Sequence, residues 1–555
     1  MEVAARAASA RRRAVRRGLP GWAVVGILVA VLVAGPLLVL PASFLADPGA
    51  FGEIADSLLP EALRASAVLA AGVGAGTLAL GGALAALVSF YDFPGRRWLD
   101  WALVLPLAMP AYVLVFVLLG QYDADGWLQG AFRDALGLQL PEIRSTGGAI
   151  AVLTLVLYPY VYVLGRSAFL DQSRDTFEAA RSLGLSHFAA IVRLALPLAR
   201  PALAAGVALA VMEALADFGA VNLLNYRAMT DAIYRVWYGA FDRAAALQLA
   251  TVLVSLTVAL VLLERMLRGR ARYHGALARG EAVVPRRLRG PRAWVATAVP
   301  VVLLALVLVA PLVQLVVWSA QSLGEGAAAP ALFEAAATSL MLAAVAAAVA
   351  VAAATVVVYG RRTQPSRVGD ATARLQTLGY AVPGTVVAVA VYIPLAWIDR
   401  RLDGAFDVGL VLTGTAIGLV LAYVVRFQAL AYFAVEARMS RLDPALDDAA
   451  QSLGADRSRV LSDVHLPLLW PGIVTAGLLV FVEAMKELPA TALLRPLGND
   501  TLAITVWEAT KDSRFDTAAL PALLIVAVGL VPVVLMIRLS RRGAALEGEL
   551  VPPAN

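Results

Sequence analysis

The chain has 555 residues, 60% of them hydrophobic and only 15% charged, with a mean hydropathy of +0.77 and a net charge of +6. A soluble domain carries about a quarter charged residues, so this composition excludes a soluble globular protein and points to one built for lipid. The absence of cysteine excludes disulfides, thiol chemistry and thiolate metal sites.

In chain order, Arg11, Arg12, Arg13, Arg16 and Arg17 form a basic head (1–21) before the charge-free run 18–46. That run is far longer than the ~7–15 residue core of a signal peptide, so it is expected to stay as a first membrane helix. Further charge-free runs occupy 65–91, 101–122, 145–165, 244–263, 293–324, 335–360, 375–398, 408–425 and 517–537, and the runs 201–212 and 466–482 are extended through acids. Each reaches or approaches the ~20 residues a helix needs to cross hydrocarbon. Strands of a β-barrel would be shorter and would alternate in polarity. The expected fold class is an all-α polytopic membrane protein with about twelve transmembrane helices.

Arginines also crowd the centre (Arg265, Arg268, Arg270, Arg272, Arg279, Arg286, Arg287, Arg289, Arg292) and follow the last run (Arg538, Arg541, Arg542). The positive-inside rule puts both termini and the centre in the cytoplasm, and makes these arginines topology determinants rather than a nucleic-acid surface.

Residues 178–197 read EAARSLGLSHFAAIVRLALP and residues 448–467 read DAAQSLGADRSRVLSDVHLP. Their offset, 448 − 178 = 270, also carries Pro201 to Pro471, Leu209 to Leu479, Glu213 to Glu483, and Leu223-Leu224 to Leu493-Leu494. The chain is therefore read as two parallel six-helix halves, 22–266 and 292–542, with a linker at 267–291 and a tail at 543–555. Both repeated segments (175–197 and 445–467) fall in cytoplasmic loops between the fourth and fifth spans of their half.

Each segment has helix signals. Asp175 stands three residues before Glu178 as an expected cap, and Asp443 precedes Pro444. Gly184 and Gly454 are expected to be left-handed and to end a short helix. Ser186 and Asp456 are expected to cap a second helix that stops at Pro197 and Pro467. An Ala-Ala face beside an acid lets another surface approach closely.

These segments resemble the EAA loops of ABC-transporter membrane subunits of bacterial importers, in which such a loop forms the helix that seats in the ATPase. Residue by residue, the resemblance covers Glu178, Ala179, Ala180, Gly184, Leu196 and Pro197, and Asp448, Ala449, Ala450, Gly454, Leu466 and Pro467. Asp448 departs from the usual glutamate by one methylene. The stretches LPLAMPAYVLVFVLLG, LYPYVYVLGRSAF, EALADFGAV, GYAVPGTVVAVAVYIPL, AYVVRFQALAYF and EAMKELPATALLRPLGNDTLA are similar to the fused, two-half permeases of ferric-iron importers. Relatives in that superfamily move thiamine, polyamines, sulfate or aminoethylphosphonate. The resemblance implies a bacterial inner-membrane transport subunit with no cofactor of its own. Its partners would be two copies of a cytoplasmic ATPase carrying ATP-Mg and a periplasmic or lipid-anchored substrate-binding protein. It would work by alternating access.

A phosphate-binding loop needs Lys followed by Ser or Thr. The only lysines, Lys486 and Lys511, are followed by Glu487 and Asp512, so ATP hydrolysis is expected in a separate chain.

Glu213 and Asp217, and Glu483 and Glu487, are spaced i, i+4 and expected at membrane depth, each pair on one helix face. They read equally as a translocation path and as structural groups, with Lys486, Asn222 or Asn225 as partners. Tyr158, Tyr160 and Tyr162 read as interfacial anchors or as ligands. His187, His274 and His465 are expected in cytoplasmic loops or the linker, leaving a metal cargo only oxygen donors in the membrane. An ion-coupled secondary transporter, with these acids as proton or sodium sites, is the rival of a different class.

Overall fold

The computed structural model describes residues 21–46, 49–122, 126–137, 139–268, 283–324, 329–496 and 498–549. His274 and both chain ends lie outside them.

The first half contains α1 (Gly21–Ala34), α2 (Leu59–Phe90), β1 (Tyr91–Asp92), α3 (Arg96–Ala102), α4 (Ala111–Tyr122), α5 (Thr146–Leu170) and α6 (Arg174–Ser182). It continues with α7 (Leu196–Ala216), α8 (Gly219–Leu223), α9 (Met229–Tyr238) and α10 (Arg243–Arg268), and β2 (Arg286–Arg287) follows. The second half repeats the order: α11 (Pro291–Gly324), α12 (Ala329–Thr363), α13 (Arg367–Leu375), α14 (Gly384–Phe406), α15 (Ala416–Met439) and α16 (Ala445–Ser452). It ends with α17 (Leu466–Met485), α18 (Pro489–Leu494), α19 (Leu502–Lys511) and α20 (Phe515–Glu549).

Among the described residues, nine helices are long and apolar enough to cross a membrane, or eleven if two bent pairs each count as one span. One bent pair falls in the expected span 101–122, which turns by 88° between Arg96–Ala108 and Ala111–Tyr122. The cause is local: Pro106 and Pro110 bring no N–H, and Met109 between them is extended (φ −88°, ψ 110°). Broken backbone at membrane depth is tolerated where protein satisfies it. Here the buried Tyr158 hydroxyl donates to Leu103 O at 2.9 Å and that of Tyr162 to Asp100 O at 2.7 Å, so these tyrosines are internal fasteners.

The run 375–398 breaks in the same way at Val382, before Pro383. Its helix α14 carries Asp399, Arg400, Arg401 and Asp403 in its last turns and is not among the nine to eleven spans counted among the described residues. Asp399 is fully buried and gathers the next loop, accepting from Leu412 N at 2.9 Å, Thr413 N at 2.7 Å and Thr413 Oγ1 at 2.6 Å.

Internal contacts divide the chain into two units that do not follow chain order. One comprises Met1–Pro48 with Ala337–Asp500, the other Gly49–Ala336 with Thr501–Asn555. In the former, α1 packs on α13 and α15; in the latter, α11 packs on α20 and α4. The core of the latter unit is α2, α5 and α7, where Gly81 lies so close to the α5 backbone that a Cβ there would sit 2.6 Å from Tyr158 O. Small residues at such crossings are how membrane helices pack without a hydrophobic driving force between them.

Candidate functional site: the paired loop segments

In the first segment, Ser173 Oγ accepts from Thr176 N at 3.3 Å and caps α6. The expected cap, Asp175, instead lies in the first helical turn, where its charge suits the helix dipole. In the second, Asp443 Oδ1 accepts from Ala445 N at 2.9 Å. Gly184 and Gly454 are left-handed, with φ of +92° and +86°. At each the chain closes in a Schellman turn: Leu185 N reaches Ala180 O at 3.3 Å, and Ala455 N reaches Ala450 O at 3.0 Å. Ser186 Oγ then accepts from Ala189 N at 3.2 Å, and Asp456 Oδ1 from Arg459 N at 2.9 Å, so both second caps form.

The expected stop at Pro197 and Pro467 does not occur. A π-helical turn at Ile191–Ala195 and at Val460–His465 leads straight into α7 and α17. Its wider ring takes up the carbonyl crowding that a proline ring causes in a helix, so the chain passes each proline without ending. Glu178, Ala179, Asp448 and Ala449 are exposed, Ala180 and Ala450 half-buried. Leu183 and Leu453, beside the glycines, are 87% and 88% exposed. Glu178 pairs with Arg174 at 2.6 Å along its own helix. Each segment thus presents a thin, small-residue face tipped by a bare leucine.

What the sequence reading missed is how each segment is held. Phe177 and Asp447 share one register position, 447 − 177 = 270. Phe177 is buried, stacking on Phe90 at 5.5 Å and meeting the His187 ring edge-on at 5.3 Å; Phe90 in turn meets Phe169 at 5.2 Å. His187 is buried, with Nε2 3.1 Å from Phe90 O. Asp447 instead accepts from Arg362 Nε at 2.8 Å and lies 2.6 Å from Nε2 of the fully buried His465. Burial opposes the Asp447 charge, but hydrogen bonds and charge from Arg362 and His465 outweigh it and hold the carboxyl below the usual carboxylate range.

The acid pairs do not share helix faces as expected, because α7 ends at Ala216 and α17 at Met485. Asp217 Oδ1 accepts from Ala220 N at 2.8 Å and Glu487 Oε1 from Ala490 N at 2.9 Å, so each caps the short helix that follows. Glu483 and Glu213 remain within the long helices, Glu483 paired with Lys486 at 2.8 Å. Asn222 pairs with Asp231, at 2.7 Å, rather than with an acid of α7. The stretch 218–243 folds into α8 and α9 with Phe218, Val221, Asp231 and Ile233 buried. Among the described residues no three His, Asp or Glu side chains come together as a metal site.

A family model, the binding-protein-dependent transport system inner membrane component, matches residues 78–273 and again 357–544, more than half of the chain. The chain is 27% identical over 485 residues to the Fe(3+)-transport system permease protein FbpB 2 of Haemophilus influenzae, covering 86% of this chain and 90% of that one. It is 31% identical over 259 residues to a probable molybdenum ABC transporter permease protein of Haloferax volcanii, covering 46% of this chain and 93% of that one. A probable sulfate transport system permease protein of Nephroselmis olivacea is 31% identical over 215 residues, 37% of this chain and 73% of that one. The two copies of the family region, in a multi-pass helical chain without an ATPase domain, show that this protein belongs to the binding-protein-dependent ABC-importer permeases as a transport subunit.

Proposed function

We propose that this permease imports ferric iron across a bacterial inner membrane, with both termini cytoplasmic, driven by two copies of a separate ATPase that carry the ATP-Mg. The observation that carries the coupling reading is the duplicated, exposed segment closed by a left-handed glycine. Glu178, Ala179, Ala180 and Gly184 would seat in one ATPase copy and Asp448, Ala449, Ala450 and Gly454 in the other. Leu196-Pro197 and Leu466-Pro467 would lead the motion into the membrane halves 22–266 and 292–542. A periplasmic or lipid-anchored binding protein delivers the cargo. Iron is supported by the Haemophilus influenzae relative, which spans both halves. An oxyanion cargo is the second reading, supported by the sulfate and molybdenum relatives, each matching less than half of the chain. Glu213 and Glu483 are candidates for the path, with Asp217 and Glu487 behind them as caps.

The test is purification from native membranes, followed by uptake of labelled ferric ion or sulfate into vesicles containing the permease, its ATPase and its binding protein. Co-purification of an ATPase and ATP-driven ferric uptake are expected. No ATPase partner, with uptake abolished by an uncoupler while ATP is kept high, would contradict the reading in favour of an ion-coupled carrier.

A further inference from the structure

The two segments are tied to corresponding helix ends by different chemistry. In the first, Phe177 meets Phe90 at the end of α2 and His187 at the foot of α7, and Phe90 also meets Phe169 at the end of α5. In the second, Asp447 meets Arg362 in the last turn of α12 and His465 at the foot of α17. Arg362 Nη1 further donates to Leu442 O at 2.8 Å and Met439 O at 3.3 Å, at the end of α15. Met439 and Phe169 are again in register, 439 − 169 = 270. Both ties link the segment to three membrane helices.

Ring contacts hold by area and tolerate sliding, whereas charge-assisted hydrogen bonds fix distance and direction. Arg362 is 13% exposed, Asp447 17% and His465 not at all, so water competes little for the ionic tie. We propose that Arg362, Asp447 and His465 are positioning residues that make the second segment a rigid lever, while the aromatic tie lets the first segment roll. This rests on the coupling reading above. The second segment then transmits ATPase motion to α12, α15 and α17 as one body, and the first acts as the compliant side of the pair.

The test uses the complete transporter in vesicles and reads cargo moved per ATP hydrolysed, alongside ATPase co-purification. If the wild-type permease retains no ATPase, the coupling reading fails before this proposal is reached. Given a wild-type complex, Asp447→Asn keeps the side-chain shape but removes the charge that fixes Arg362. It is expected to retain the ATPase and its hydrolysis while cargo per ATP falls about fivefold. Phe177→Leu, the matching lesion in the compliant segment, is expected to change the ratio less than about twofold. Because Asp447→Asn could lower the yield of folded protein, Arg362→Lys is the second variant: it keeps the charge, loses the fork to Leu442 and Met439, and should lower the ratio to an intermediate value. Unchanged cargo per ATP in both second-segment variants, or a fall of equal size in Phe177→Leu, would overturn the proposal. So would loss of uptake only in proportion to lost complex.

Discussion

Arg426 Nη1 lies 2.8 Å from Glu487 Oε1, with Glu487 4% exposed and Arg426 15%. The same carboxylate oxygen caps α18 through Ala490 N at 2.9 Å. At the register position of Arg426 the first half carries Val156, 426 − 156 = 270, so this buried pair belongs to the second half alone. Glu487→Leu leaves the guanidinium without its carboxylate and is expected to destabilise the protein by about 3–5 kcal/mol. Adding Arg426→Leu should recover most of that, leaving about 1 kcal/mol for the lost cap. Thermal unfolding in detergent reads the difference, and a double variant no better than the single would refute the pairing argument.

Gly184 and Gly454 have open space where a Cβ would be placed, so Gly→Ala costs only the left-handed conformation, about 1–2 kcal/mol. That loosens the Schellman turn and swings Leu183 or Leu453 away from its position. Gly184→Ala and Gly454→Ala are expected to weaken ATPase retention severalfold, and Gly→Asn less, because Asn tolerates the left-handed region better. Retention on an affinity column measures both.

The Asp447 carboxyl is held below its ordinary value of 3.8 by Arg362 and His465, despite burial. A carboxylate with a depressed folded value contributes stability that is fully present above the unfolded value. That contribution is lost as pH falls from about 3.8 through the lower folded value. Protection of the 445–452 amides against hydrogen exchange in detergent, taken relative to the intrinsic exchange rate at each pH, should therefore hold at pH 5 and above and fall below about pH 4. Asp447→Asn should remove this step, whereas the Phe177 segment should lack it throughout.

Glu213→Gln combined with Glu483→Gln is expected to lower transport at least about tenfold while leaving ATPase retention intact. Wild-type uptake in that double variant would make both acids structural. A loss of ATPase binding would place their effect in folding instead.

Much of this architecture was legible in the chain because it was written twice. The offset of 270 located both segments, and the left-handed glycines and the caps Ser186 and Asp456 followed from local backbone chemistry. The break before Pro110 carried a signal in Pro106 and Pro110, but the run's uniform apolarity read as one span. The Phe177 and Asp447 ties were illegible for another reason. Among their partners, Arg362 lies 85 positions from Asp447 and Phe90 lies 87 from Phe177, and only the folded helices bring these together. The packing of α1 on α13 and α15, rather than on its own half, is likewise fixed by contacts distant in the chain.

On the proposed function, both repeated segments dock an ATPase. The chain has no cysteine, so Leu183→Cys and Leu453→Cys each create a single thiol on an exposed tip. Cross-linking each variant, in its native membrane complex, to the ATPase with a short bifunctional thiol–amine reagent is the most direct measurement. A permease–ATPase adduct is expected from both positions, formed with loss of ATP-driven uptake. No adduct from either position in a complex that still transports would contradict it.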